Sequence, residues 1–240
     1  MSREDGTMQI VSSYKVRIAE SNQKIARAFI DTLDLYRAAV DFFIALELKH
    51  WGSTFVKEMP EQKQIKAMEQ LCIRTKNRPD TPYDFSEKFY KFPSYLRRAA
   101  IRHAYGKVSS YMTHLETWTQ NRHGNPPGLP RAGRVFPPLY QKNMFVRDKK
   151  SGLYSARIKV FIRNTWDWME VRLHKSDVDY LERYCSHRIE HVPTLCRQNR
   201  KVWSLVFAFS EEVELKPQKT IAQQTIVSVD PGINSACVCS

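Results

Sequence analysis

The chain has 240 residues, 42% of them apolar and 12% aromatic, ample for a buried core, which excludes disorder as its main state. Lys and Arg number 38 against 25 Asp and Glu, a net charge of +13 at pH 7, so a polyanionic partner is the leading expectation. Eight Gly and twelve Pro exclude a collagenous or low-complexity chain, and there is no run of roughly eighteen apolar residues to cross a bilayer, so no membrane partner is expected.

The N-terminal sequence MSREDGTMQI has no apolar h-region, and five Cys at irregular spacing fit reduced thiols, so the expected location is cytoplasmic. From Met8 to Ile18, Tyr14, Val16 and Ile18 alternate with Lys15 and Arg17 in the two-residue period of a half-buried strand. After Asn22 the period changes. Ile25, Phe29, Leu33, Tyr36, Val40 and Phe43 recur at steps of three and four, the pattern of a helix with Ser21 as its N-cap and an end near Trp51-Gly52. A second helix starts at Pro60 and carries Ile65, Met68, Leu71 and Cys72. A short piece follows at Phe85 to Tyr90. Pro93 then opens the most regular helical pattern, with Ile101, Tyr105, Val108, Met112 and Leu115 on one face, ending before Asn121.

The stretch from His123 to Pro138 holds five Pro and three Gly, so it must be a loop. Beyond it, β-branched and aromatic runs at Tyr154 to Ile162, Trp166 to Leu173 and Val202 to Phe209 read as strands, with a short helix from Ser176 to about Ser186. Thr225 to Val229, Asp230, a Pro231-Gly232 turn and a return strand within Asn234 to Ser240 read as a hairpin, too small to be stable alone. The fold class expected is α+β. The first strand should pair with strands after residue 140, a helical lobe over 21–121 should interrupt a β-domain made of 1–20 and 122–218, and 219–240 should begin another domain.

Charge is concentrated in two places. Between Asn121 and Arg163 there are ten basic residues, among them Arg131, Arg134, Lys142 and Arg147, against one acid, Asp148. Phe136, Tyr140, Phe145, Tyr154 and Phe161 are interleaved with them, which suits bases stacked on rings and phosphates held by cations, although a solvated strand face over a core of rings would read the same way. From Lys88 to Lys107 there are six basic residues and no acid, with Arg98 and Arg102 four apart on one helix side and Arg97 beside them. A phosphate backbone could follow that side. Like charges at this spacing repel and need compensation if the face is merely solvated.

Cys185, His187, His191 and Cys196 form Cys-x-His-x3-His-x4-Cys, with the two His on one face if the segment is helical. The pattern lacks Cys-x2-Cys and the long spacer between ligand pairs, so a buried Cys and surface His are the expectation, with zinc as the alternative. Asp230, at the end of a β-run before a tight turn, is either a turn residue or a ligand for a hard divalent cation.

Four stretches in order, the opening strand with its long helix, PSYLRRAAIRHAYGKVSSYM, GLPRAGRVFPPLY, and VWSLVFAFS followed by IVSVDPGIN, resemble the N-terminal half of transposon-encoded RNA-guided nucleases of the TnpB (OrfB) type, related to type V CRISPR effectors. The resemblance implies an OB-like wedge β-barrel split by a helical recognition lobe, then the first strand of a RuvC (RNase H-like) domain. It implies guide RNA and target DNA as partners and a nucleoid-associated location in a bacterium or archaeon. Arg97, Arg98, Arg102, Arg131 and Arg134 match the family's basic residues and would contact nucleic acid, joined by Lys107, Lys142 and Arg147 from the two basic stretches, and Asp230 would be the first RuvC acid holding Mg2+. The family uses two further acids, and no Asp or Glu follows Asp230 here, so a two-metal site is incomplete and the chain is expected to be inactive alone, lacking a C-terminal nuclease segment. The alternative is a stand-alone RNA- or DNA-binding regulator without nuclease activity.

Overall fold

Alternation at the N-terminus produces strand β1 (Thr7–Arg17), and the change of period after it produces helix α1 (Gln23–Lys49), in a computed structural model that describes residues 7–19, 22–147, 152–199 and 202–214 and the backbone of 229–230 and 238–239. The cap of α1 is Asn22 rather than Ser21, which lies outside the described residues: the Asn22 side-chain oxygen accepts the Ile25 N–H at 2.9 Å. Helices α2 (Glu61–Cys72), α3 (Phe85–Lys88) and α4 (Ser94–Asn121) follow. Pro60 and Pro93 stand at the N-caps of α2 and α4, and Asp84 caps α3 by accepting the Ser86 N–H. Arg122 closes α4 in the left-handed region with φ 49°.

The loop from His123 leads into β2 (Phe145–Val146), β3 (Ser155–Ile162) and β4 (Thr165–Arg172). Next come α5 (Lys175–Tyr184), β5 (Ile189–Glu190), β6 (Thr194–Arg197) and β7 (Trp203–Glu214). Strands β3 and β4 form a hairpin whose two turn residues, Arg163 and Asn164, both have positive φ, the conformation that matches strand twist in a two-residue turn. Strands β8 (Val229–Asp230) and β9 (Val238–Cys239) pair antiparallel with Asp230 opposite Val238, so the two expected strands pair but with seven residues between them rather than a tight two-residue turn; Pro231-Gly232 and Thr225 to Ser228 lie outside the described residues.

The fold is α+β with antiparallel sheets. One four-stranded sheet runs β1-β7-β5 with β6 also on β7, a three-stranded sheet runs β2-β3-β4, and the described strands do not close into a barrel. The first strand thus pairs after residue 140, as expected. An antiparallel bridge between Ile18 and Leu173 ties the two sheets together, reinforced by Ala19 N–H to the Arg172 carbonyl at 2.8 Å and His174 N–H to the Arg17 carbonyl at 2.8 Å.

Ser12–Phe209 forms one compact unit, and Met1–Val11 with Ser210–Ser240 forms a second. The helices expected as a lobe of their own share a core with the strands, because α1 is buried over much of its circumference. Phe29 meets Trp203 of β7 at 5.1 Å between ring centroids, and Thr32 Oγ1 accepts the Phe161 N–H of β3 at 2.8 Å. Phe43, Phe85, Phe89 and Phe92 form a ring cluster that reaches Trp166 of β4 at 5.5 Å. Each such pair contributes about 0.5–1.5 kcal/mol beyond area burial.

Glu47 stands on the buried stripe of α1, fully buried, and neither carboxylate oxygen has a hydrogen-bond partner among the described residues. Burial alone pushes its carboxyl up to about 9, so it is protonated at neutral pH. A raised folded-state value stabilises fully below the ordinary carboxylate range and loses that contribution as pH rises toward the folded value. Glu47→Gln is therefore expected to flatten the decline of unfolding free energy between about pH 5 and pH 8, on the order of 1 kcal/mol per pH unit, measured by urea denaturation at each pH.

Candidate nucleic-acid interface

The basic side of α4 is compensated by α2, which packs beside it. Glu69 receives both Arg97 at 2.9 Å and Arg98 at 3.3 Å, and Glu61 receives Arg102 at 2.9 Å, while a second Arg102 nitrogen donates to the Tyr140 hydroxyl. Three guanidinium charges meet two carboxylates, leaving a surplus of one on this part of the helix. Arg97 is largely enclosed, whereas Arg98 keeps half its side-chain surface in solvent. Repulsion at the four-residue spacing is thus relieved within the protein itself.

Farther along α4 the surroundings change. Gly106, Lys107, Ser110, Tyr111 and His114 recur at helical steps and form one wall of a groove whose other wall is Pro127, Gly128 and Pro130 of the loop. Apart from its neighbours and the backbone of its own helix turns, no heavy atom of the described residues lies within 4 Å of where a Gly106 side chain would begin. An exposed mid-helix glycine costs about 1 kcal/mol relative to alanine, and the described residues give it no packing reason. His103, one turn before Lys107, is part-buried against Tyr36, with Nδ1 2.8 Å from the hydroxyl. Burial, then Arg102 and Lys107, hold the His103 imidazole below its ordinary value, so it is neutral at pH 7 and adds no charge.

The Pro-rich loop is fixed by α1. Asp41 Oδ1 accepts the Ala132 N–H at 2.6 Å, Arg37 Nε donates to the Val135 carbonyl at 3.2 Å, and the Arg37 guanidinium lies 5.5 Å from the Phe136 ring centroid. The loop's end is held by β6 and the residue before it: Leu139 N–H donates to the Pro193 carbonyl at 2.7 Å and Leu195 N–H to the Pro137 carbonyl at 3.1 Å. Between these ties Arg131 and Arg134 are exposed, on either side of buried Ala132, and neither has an acidic partner among the described residues.

Arg147, expected at the nucleic acid, is placed otherwise. Its side chain is 8% exposed, bonded to Glu190 at 2.8 Å and Glu182 at 3.5 Å, with its guanidinium 5.7 Å from the Phe207 ring. It joins the end of β2 to β5 and α5, so its charge is spent inside the fold. Lys142 is exposed in the preceding turn, and Lys149 and Lys150 lie outside the described residues. On the β3–β4 hairpin, Arg157 and Lys159 approach Trp168 at 5.8 and 6.0 Å.

The four possible zinc ligands are not assembled. Helix α5 ends at Tyr184, so His187 and His191 share no helix face; both are exposed, Cys185 is buried at the helix end, and Cys196 sits in β6 opposite Ser204. Burial pushes the Cys196 thiol up to about 11, away from the thiolate that zinc binds. Among the described residues no group of three or more His, Cys, Asp or Glu stands where a metal ion would be held, and the Asp230 side chain, the expected Mg2+ ligand, lies outside them. No helix among the described residues is long and apolar enough to cross a membrane.

Sequence reasoning missed Asp41 and Arg37, which fix the loop, and Ser110 and His114, which line the groove. The polar steps from Gly106 to His114 were readable as a stripe; the partners of Asp41 and Arg37, 91 and 98 residues away, carry no local signal.

The sequence model of the Aq_aa04 family matches residues 12–162. An uncharacterized protein of Aquifex aeolicus (strain VF5), aq_aa04, is 26% identical over 165 residues, covering 60% of this chain and 91% of that protein. The matched stretch runs from β1 to the end of β3 and contains α1, the loop it fixes and the α4 groove.

Replacing Asp41 by Ala removes the acceptor for the buried Ala132 N–H and should lower stability by about 1–3 kcal/mol. Amide exchange measured by mass spectrometry is expected to rise over the loop around Ala132 and to stay unchanged in β3 and β4.

Proposed function

The chain belongs to the Aq_aa04 family, and we propose that it binds nucleic acid in the groove between α4 and the Pro-rich loop, as the guide-RNA and target-DNA binding portion of an RNA-guided endonuclease of the TnpB type. The observation that carries this reading is the contrast between two sets of cations. Arg97, Arg102 and Arg147 are matched by carboxylates, while Arg131 and Arg134 are held out on a loop tied down from beneath by Asp41 and Arg37. Uncompensated cations on a rigid support lose little entropy when they meet phosphates, and the phosphate contacts supply most of the sequence-independent affinity. The open space above Gly106 lets a sugar-phosphate backbone come close to the helix. Lys107 on the same wall adds a further cation.

In this reading the two sheets tied at Ile18 and Leu173, and latched by Arg147 and Glu190, are the OB-like wedge, and β8 with β9 opens the RuvC-like domain. The location is then cytoplasmic, beside the nucleoid. The described residues bind nucleic acid in this reading, and Asp230 is its first RuvC acid.

A second reading, a stand-alone RNA- or DNA-binding regulator, is favoured by one observation: the stretch shared with the Aquifex protein takes up 91% of that protein. RNA copurified with the chain separates the two readings, since a guide would be one defined transcript and a regulator's cargo would vary.

Arg131→Glu with Arg134→Glu should weaken RNA binding and reduce the slope of log K against log salt by about 0.7 for each phosphate no longer neutralised, read by fluorescence anisotropy. Gly106→Ala should raise stability by about 1 kcal/mol yet weaken binding. Unchanged affinity in both variants would remove the groove from the interface.

A further inference from the structure

Helix α5 carries two exposed rings, away from the groove, at the open end of a row that starts in the core. Tyr180 and Tyr184 are four apart and lie on one helix side with ring centroids 4.7 Å apart; Tyr180 meets Tyr14 of β1 at 5.6 Å, and Tyr14 meets Phe209 of β7 at 5.9 Å. The row runs from a buried end to an open one. Phe209 is 3% exposed, whereas Tyr180 and Tyr184 are 46% and 50% exposed. Its inner part is stiffened by Arg188, which donates to Ser12 Oγ at 3.0 Å and the Tyr14 hydroxyl at 3.3 Å.

The charges around the row are sorted in the same way as at the groove. Asp177 is bonded to Arg17 at 2.7 Å, Asp179 accepts the Tyr154 hydroxyl at 2.9 Å, and Glu182 lies 3.5 Å from Arg147, so the acids of α5 are all engaged within the fold. Arg183 is exposed, has no acidic partner among the described residues, and lies 6.0 Å from the Tyr184 ring centroid. A ring row with a free guanidinium at its open end matches nucleotides, which carry a flat face and a phosphate on each unit.

We propose that Tyr180 and Tyr184, backed by Tyr14, form a stacking platform for unpaired bases of a single strand, with Arg183 meeting the adjoining phosphate. The rings offer rigid flat surface that costs little entropy to use, every base has a face to place on it, and duplex bases have no free face to offer. The net charge of +13 favours a nucleic-acid occupant over an apolar protein surface. The inference rests on the nucleic-acid reading above but uses different residues and a different force, so the two can fail separately.

The test compares wild type and Tyr180→Ala with Tyr184→Ala on a labelled single-stranded RNA of about 12 nucleotides and on the matching duplex. Loss of about tenfold or more in single-strand affinity, with the salt slope and duplex binding unchanged, is the expected result. Tyr→Phe at both positions should keep the affinity. Should the double variant fail to fold, as judged by circular dichroism, Tyr184→Ala alone, at the most open ring, decides. Unchanged single-strand binding, an equal loss on duplex, or a shift in oligomeric state by light scattering overturns the platform. Wild-type protein that binds duplex and not single strand overturns the platform alone, and protein that binds neither overturns both readings.

Discussion

Burial of α1 is the constraint on which the other parts depend. A 27-residue helix that packs on α4 along one side and on β3 along another cannot end in a lobe of its own, because its apolar residues cover too wide an arc for a two-helix contact. Phe29 and Thr32 commit its first half to the strands, and Phe43 commits its second half to the ring cluster with α3. Part of its remaining surface, at Arg37 and Asp41, meets the Pro-rich loop. A loop with so many prolines makes few backbone hydrogen bonds of its own, so a carboxylate and a guanidinium from a rigid helix substitute for them.

Charge follows from that packing. Bringing α2 against α4 places Glu61 and Glu69 beside three arginines, and closing the strands near α5 places Glu182 and Glu190 beside Arg147. The exposed pairs among them, Arg98 with Glu69 and Arg102 with Glu61, contribute about 0–1 kcal/mol each, so their effect on stability is small. They also decide which part of the basic excess remains available to the proposed nucleic acid. Arg131, Arg134 and Lys107 remain available on this account, and Arg183 does so at a different place.

Periodicity made the long elements legible: α1, α4, β3, β4 and β7 lie close to where alternation and three-four spacing put them. Strands β2, β5 and β6 have two to four residues, too few for a period to register, and they exist because longer strands pair with them. Composition located the basic stretches correctly and could not tell a neutralised arginine from a free one. Arg97 and Glu69 are 28 residues apart, and Arg147 and Glu190 are 43 apart, separations that only the fold closes. Glu47 is the instructive exception. It falls four residues after Phe43 and seven after Val40, on the predicted apolar stripe, so its burial was readable from position even though nothing local announced an acid without a partner.

The residues shared with the Aq_aa04 family stop at the end of β3, before α5 begins, and this boundary separates two kinds of chemistry. Inside the matched stretch are the fixed loop and the groove, whose cations act through charge and therefore weaken with salt. Outside it are the rings of α5, whose proposed contacts with bases depend on flat surface and would persist at salt concentrations that screen phosphates. A polyanion held only by the first would slide along the groove, since phosphate contacts carry no position along a strand. Adding a platform that accepts only unpaired bases distinguishes a single strand from a duplex, and a structured RNA with one exposed single-stranded segment would satisfy both at once.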